Sequence, residues 1–168
     1  MWFRYQIKVT KNSKYLKIKL GKANFVHLTC LVVVNCIIKF YGMRQQVGSG
    51  SPWEDIVGYS RAVKVGNIIE VAGTTAMDGD LLVGKGDVYM QTKYIFTKIE
   101  KALQQLGASL SDVVRTRIYV TNIADWEKVG KAHGEFFALI KPVATMVEVA
   151  RLINDDLLVE IEVTAVIT

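Results

Sequence analysis

Residues 87–120 read DVYMQTKYIFTKIEKALQQLGASLSDVVRTRIYV, and the change of period inside them decides the fold. After Asp87, a natural N-cap, Val88, Tyr94 (or Ile95), Ile99, Leu103 and Leu106 recur at helical spacing, and Gly107 stands where a helix usually ends. From Val113 to Val120 the period becomes two: Val114, Thr116, Ile118 and Val120 fall on one side, Arg115, Arg117 and Tyr119 on the other. A helix running into a half-buried strand is an α/β unit, and the rest of the chain can be read outward from it.

Upstream, Ser49-Gly50-Ser51-Pro52 is a loop signal. Two apolar runs, Tyr59–Val65 and Ile68–Ala72, flank Gly66-Asn67 as a β-hairpin, and Leu81-Leu82-Val83 is a further short strand between glycine-rich turns. Downstream, Asn122 ends the central strand. Asp125 is placed to cap a second helix whose stripe is Trp126, Val129, His133 and Phe136/Phe137. Pro142, a strand over Thr145–Ala150, a turn at Asn154-Asp155-Asp156 and a last strand over Leu157–Ile167 complete the order ββ(β)–α–β–α–β–β. The fold class predicted is α+β: a six-stranded mixed β-sheet with both helices packed on one face. On the last strand Val159, Ile161 and Val163 would face the helices. Leu158, Glu160, Glu162 and Thr164 would face away, onto an uncovered surface of the kind that association usually buries.

Charge divides the chain. The net +5 of the 168 residues comes from residues 1–42, which hold eight basic side chains and no acid. Residues 43–168 hold thirteen basic and sixteen acidic side chains, a net of −3. That balance disfavours a phosphate-tracking surface, and no nucleic-acid partner is expected. Both cysteines, Cys30 and Cys36, also lie in residues 1–42, so the body can build neither a disulfide framework nor a thiolate zinc site. With only His27 and His133 in the whole chain, no multi-histidine metal centre is expected. Residues 1–42 are read as a basic and apolar extension, either a spurious start with Met43 as the true one, a signal or anchor, or a folded part of the domain. Residues 43–168 are the globular domain, expected to be cytoplasmic and away from membranes.

Several side chains could carry chemistry. Glu160 and Glu162 sit two apart on one strand and point the same way. A carboxylate half-buried at an interface can exchange a proton with a substrate, whereas one paired with Arg115 or Arg117 is structural. His133 lies on an apolar helix stripe and fits either a hydrogen-bonded core residue or a proton carrier. Tyr59 fits a pocket phenol or a strand aromatic. Gly84-x-Gly86 lacks the third glycine and the context of a nucleotide loop.

Five segments together carry a resemblance: Gly58-Tyr59-Ser60-Arg61-Ala62-Val63, Val71-Ala72-Gly73, the strand 113–120, Pro142-Val143-Ala144-Thr145-Met146-Val147-Glu148-Val149-Ala150-Arg151-Leu152, and Val159-Glu160-Ile161-Glu162. In this order and spacing they resemble the Rid family, the YjgF-type proteins labelled "endoribonuclease L-PSP", over essentially all of 43–168. The resemblance implies a homotrimer with clefts between neighbouring subunits. It also implies hydrolysis of reactive enamines and imines from amino-acid metabolism to a keto acid and ammonia, with no metal and no organic cofactor. Carried over, Glu160 is the water-directing catalytic acid/base and Tyr59 lines the cleft. Gly73 and Thr74 stand at the family's serine-glycine segment, where Ala72 replaces the serine. His133 is a second candidate proton carrier, and Ala144, Thr145 and Met146 occupy the substrate-binding segment after the proline. Here the chain departs from the pattern: Ala144 stands where the family's carboxylate-binding arginine belongs, and Met146 where many members have cysteine. Arg61 and Lys141 are candidate replacement cations. The function expected is a hydrolase acting on a small imine, enamine or related carbonyl-derived metabolite. The alternative is a non-catalytic ligand-binding or regulatory trimer of the same fold. Ribonuclease activity has little support in an acidic body with no RNA-binding motif.

Overall fold

The computed structural model describes residues 44–168; the reading of residues 1–42 lies outside the described residues. Eight strands and three α-helices occur in the order β1 (Gln45–Val47), α1 (Pro52–Val57), β2 (Ala62–Val65), β3 (Ile68–Thr74), β4 (Met77–Asp78), β5 (Leu81–Leu82), α2 (Val88–Gln105), β6 (Val113–Val120), α3 (Trp126–Phe137), β7 (Val143–Glu148) and β8 (Val159–Val166). Six of the strands form one sheet in the order β1-β2-β3-β8-β6-β7. β8 is antiparallel to both β3 and β6, while β6 and β7 run parallel around α3. The expected α+β class and six-stranded mixed sheet are present. The sixth strand is β1 rather than Leu81–Val83, which forms a separate two-stranded ribbon with Met77–Asp78. Three residues of polar sequence, Gln45-Gln46-Val47, carry no strand period of their own. Pairing with β2 makes them a strand.

The ends of α2 form as their residues dictate. Asp87 accepts a hydrogen bond from Met90 N at 3.1 Å. Gly107, at φ 77, turns the chain so that Gly107 N donates to Gln104 O and Ala108 N to Leu103 O, a Schellman closure that only a residue tolerant of left-handed backbone forms cheaply. The buried stripe is Val88, Ile95, Phe96, Ile99, Ala102 and Leu103, so Ile95 rather than Tyr94 faces the core. Asp125 makes no side-chain cap to α3; its carboxylate pairs with Lys128 at 2.9 Å, and Asn122 caps the preceding turn instead. Phe96 meets Phe137 edge-on at 5.1 Å and closes the helix layer.

Strand faces follow the two-residue period except at two register slips, in β3 and in β6. Register slips between Val113 and Arg115 against β8, so Val113 takes the inner position. Val114, expected on the inner side, is exposed. On β8, Val159, Ile161, Val163 and Ala165 are buried under the helices. Glu160, Glu162 and Thr164 occupy the opposite, open face together with Glu70, Arg117 and Tyr119. Four large apolar residues of that face, Val65, Ile68, Val143 and Val147, are 43–60% exposed.

Candidate functional site

Glu160 sits on a central strand, between Tyr119 of β6 and the end of β3. β3 slips register against β8 between Val71 and Thr74, and Gly73 lies within that irregularity. A Cβ on Gly73 would collide with the Glu160 carboxylate. Absence of a side chain there is therefore what lets the carboxylate lie against the β3 backbone. Glu160 is half-buried, and burial pushes its carboxyl above the usual carboxylate range. Arg61 opposes that shift and the neighbouring Glu162 adds to it. A protonatable acid at the edge of a surface open to a guest is what proton transfer to a small substrate needs.

Arg61 extends from the chain entering β2 and clamps the β3 irregularity. Its Nη1 donates to Gly73 O at 2.8 Å, Thr74 Oγ1 at 3.0 Å and Ala72 O at 3.3 Å. It is thus a half-buried, tied-down guanidinium rather than a solvated surface charge. The Tyr59 ring lies 5.8 Å from the Arg61 guanidinium carbon. Thr74, expected to line the cleft, is buried on the helix side; its hydroxyl accepts from Arg61 and donates to Ala72 O at 2.8 Å, which leaves it a holder of Arg61. Lys141, the other candidate cation, is an exposed residue at φ 55 just before Pro142.

Glu162 pairs with Arg117 at 2.6 Å and accepts from Tyr119 Oη at 3.2 Å. Of the two strand carboxylates it is the structural one. Glu160, two residues earlier, makes no ion pair among the described residues.

The remaining candidates lie elsewhere in the protomer. His133 is on the helix side of the sheet: its Nε2 is 3.1 Å from Thr116 Oγ1 and its ring packs on Phe96 and Phe137. Burial holds its pKa below the usual histidine range. It occupies the opposite face from Glu160, so the expectation that it serves as a second proton carrier in the same cleft is corrected to a core role. Ala144 is in register with Thr116, which is itself in register with Val163. Ala144 is thus two strands across and three residues along from Glu160, roughly 14 Å from standard strand spacings, and on the helix-side face. Met146 shares that face, whereas Thr145 is in register with Arg117 on the open face. Within this chain, then, Arg61, Gly73 and Glu160 come together with Tyr59 beside Arg61, and Ala144, Thr145 and Met146 lie along the far sheet edge.

Sequence reasoning missed Lys98. It borders the apolar stripe of α2 with nothing in its spacing to mark it. Its Nζ is folded inward, donating to Thr75 O at 3.1 Å and to Met77 O. Burial, and then the charge of Arg61, hold its pKa below the usual lysine value. Among the described residues no group of three or more His, Cys, Asp or Glu is placed to hold a metal ion.

Comparison with known proteins bears on the family and the fold. The family model described as "Endoribonuclease L-PSP" matches residues 51–167. A crystal structure of a member of the YjgF/YER057c/UK114 family from Mycobacterium tuberculosis superposes with a TM-score of 0.67 at 52% identity, over 74% of this chain and 99% of that one. An uncharacterised protein of Streptomyces coelicolor is 43% identical over 72% of this chain and 90% of its own length. A protein of Acinetobacter baylyi named 3-aminoacrylate deaminase RutC is 32% identical over 61% of this chain and 82% of its own. On the match of the family model to residues 51–167, well over half of its length, this chain belongs to the endoribonuclease L-PSP family, the YjgF-type or Rid proteins.

Proposed function

We infer that the protein is a Rid-type deaminase that hydrolyses a small imine or enamine, with Glu160 as its proton-handling group. The observation that carries this reading is the carboxyl of Glu160: half-buried, raised in pKa by that burial, free of an ion pair among the described residues, and laid against a glycine that leaves room for it. Membership of a family that includes a protein named 3-aminoacrylate deaminase supports the reaction class.

The chemistry balances without a redox partner. An enamine first tautomerises to the imine, gaining a proton at carbon from water and returning one from nitrogen to water. Neutral Glu160 donates to the imine nitrogen while water adds to carbon. The resulting carboxylate recovers a proton from the added water and returns it to the amine of the carbinolamine. Ammonia leaves as the C=O bond forms and the hydroxyl proton passes to the Glu160 carboxylate, restoring the neutral acid, so one water is consumed and one carbonyl compound and one ammonia are released. Tyr59 walls the guest site, and Arg61 supplies positive potential beside the carboxylate while it holds the β3 irregularity in place.

A protomer alone leaves Glu160 at the edge of an open face, with Ala144, Thr145 and Met146 remote from it. The site we propose is therefore composite: the open face, with its exposed Val65, Ile68, Val143 and Val147, packs against other copies in a homotrimer, and the post-proline strand of one copy closes the cleft of the next. The test is ammonia release above buffer from freshly generated imines and enamines of several amino acids and amines, run on protein whose mass in solution has been measured. No release from any of them by pure trimer would end the deaminase reading.

A second reading, a non-catalytic ligand-binding trimer, is favoured by one feature: the arginine that would anchor a substrate carboxylate is Ala144. In that case Glu160→Ala would leave ligand affinity intact, whereas a catalytic Glu160 makes the same change abolish turnover.

A further inference from the structure

We propose that the cleft between α2 and the start of β2, on the helix side of the sheet, is a second binding site, one that takes a small dianionic oxyanion, a phosphate or a dicarboxylate. The cleft has a volume of about 200 Å³ and is lined by Arg61, Lys98 and Lys101, with Asp78 as its one carboxylate and with Ser49 and Tyr94 among its other polar groups. None of the three cations forms an ion pair with a described residue. Three positive charges line the cavity against Asp78 alone, with only Arg61 also within electrostatic reach of Glu160 across the sheet, and an anion carrying two charges would neutralise the excess. Concentrated like charge of this kind opposes folding, and it marks sites where a ligand supplies the missing sign.

Two of the three cations, Lys98 and Arg61, are held by backbone groups rather than solvated. Lys98 Nζ is drawn inward by two backbone carbonyls, Thr75 O and Met77 O, and lies 5.9 Å from the Tyr94 ring centroid, so it is kept at the cavity wall with no direct ion pair among the described residues. Arg61 commits Nη1 to Gly73 O and Thr74 Oγ1, while its buried Nε has no partner among the described residues. Burial and the nearness of Arg61 both disfavour charge on Lys98, with Asp78 the lesser, opposing influence; a bound anion would relieve that strain. Lys101 is exposed at the rim, where it can meet an incoming ion. At about 30 Å³ per water, the cavity holds the volume of about seven waters, enough for phosphate or a four-carbon dicarboxylate. The site shares Arg61 with the proposed catalytic centre but not Glu160, which lies on the other face of the sheet, and its test reads binding rather than turnover, so the two readings can fail separately.

The test is calorimetric titration of the full-length protein at pH 7.5 and constant ionic strength, with inorganic phosphate in one arm and succinate in another; acetate serves as the singly charged comparison. Saturable binding of one dianion at least about tenfold tighter than acetate is expected, and the arm that responds identifies the ligand class. Lys98→Met, which keeps the aliphatic stem, and Lys101→Gln should each weaken it by about tenfold or more. If Lys98→Met fails to fold, the exposed Lys101→Gln carries the comparison alone. Absence of saturable binding for both dianions, acetate binding of equal strength, or variants that bind as the wild type does would each overturn the proposal.

Discussion

Replacing Gly73 with alanine should separate catalysis from stability. An alanine Cβ built there stands 3.0 Å from Glu160 Cδ and 3.4 Å from its Cγ, and it overlaps the carboxylate oxygen outright. Carbon contacts settle at about 3.5–4.0 Å, so the carboxyl carbon must retreat by roughly 0.5–1 Å and its oxygen by more. What must move is the end of a flexible side chain, and Gly73 is not in the left-handed region, so the backbone accepts alanine. The fold cost should therefore sit at the low end of overpacking, about 1 kcal/mol, seen as a fall in Tm of about 3–5 °C. Displacing an acid/base group by about 1 Å costs on the order of 100-fold in rate. Gly73→Ala should thus remain folded while kcat/KM for imine hydrolysis drops about 100-fold, measured by coupled ammonia detection with calorimetry on the same preparation. Adding Glu160→Asp, one methylene shorter, should recover part of the loss. Wild-type turnover in a Gly73→Ala protein with a lowered Tm would refute the reasoning, because the clash would then have been absorbed somewhere that does not matter to catalysis.

Three further outcomes are expected. Glu160→Gln should lose about 100-fold or more in turnover, yet be at least as stable as the wild type at neutral pH. The folded protein holds the Glu160 proton more tightly than the unfolded chain does, so its contribution is fully present below the ordinary carboxylate pKa and declines as pH rises through the raised one; denaturant melts of both proteins at pH 4 and pH 7 check the sign. His133→Gln should leave ammonia release within about threefold of wild type and should remove part of the acid sensitivity of folding. The wild-type contribution, from a histidine whose pKa burial lowers, is fully present above about pH 6.5 and is lost as pH falls through the lowered pKa; melts between pH 7.5 and 5 test this. Ala144→Arg should raise kcat/KM for α-imino acids by about thirtyfold or more, if a carboxylate anchor worth about 2–5 kcal/mol is what the chain lacks; steady-state kinetics on carboxylated and uncarboxylated imines separate the two cases.

Local signals made much of the fold readable. Asp87, Gly107 and the shift from a helical to a two-residue period act through nearest neighbours, and each behaves in the structure as its chemistry requires. What escaped depends on partners distant in sequence. Gln45–Val47 is a strand only because β2 lies beside it. Val114 faces outward because the register slips against β8, which alternation within one strand cannot reveal. The site divides along the same line. Glu160 could be singled out by its position on the last strand. Spacing alone leaves it level with Glu162 and the family resemblance chooses between them; the structure adds that Arg117 and Tyr119 on another strand claim Glu162. The position of His133 across the sheet, and the capture of Arg61 by the carbonyls of β3, are tertiary facts with no signature at the level of spacing. Lys98 reads in the sequence as an ordinary helix-border lysine, and only the turn of the chain at Thr75–Met77 draws it inward.

The dependence of kcat/KM on pH, corrected for uncatalysed hydrolysis and measured for wild type and Glu160→Gln in parallel, tests the role of Glu160 most directly. The account predicts a limb governed by a group titrating above the ordinary carboxylate range in the wild type, and its disappearance in the variant. A profile that both proteins share would contradict it.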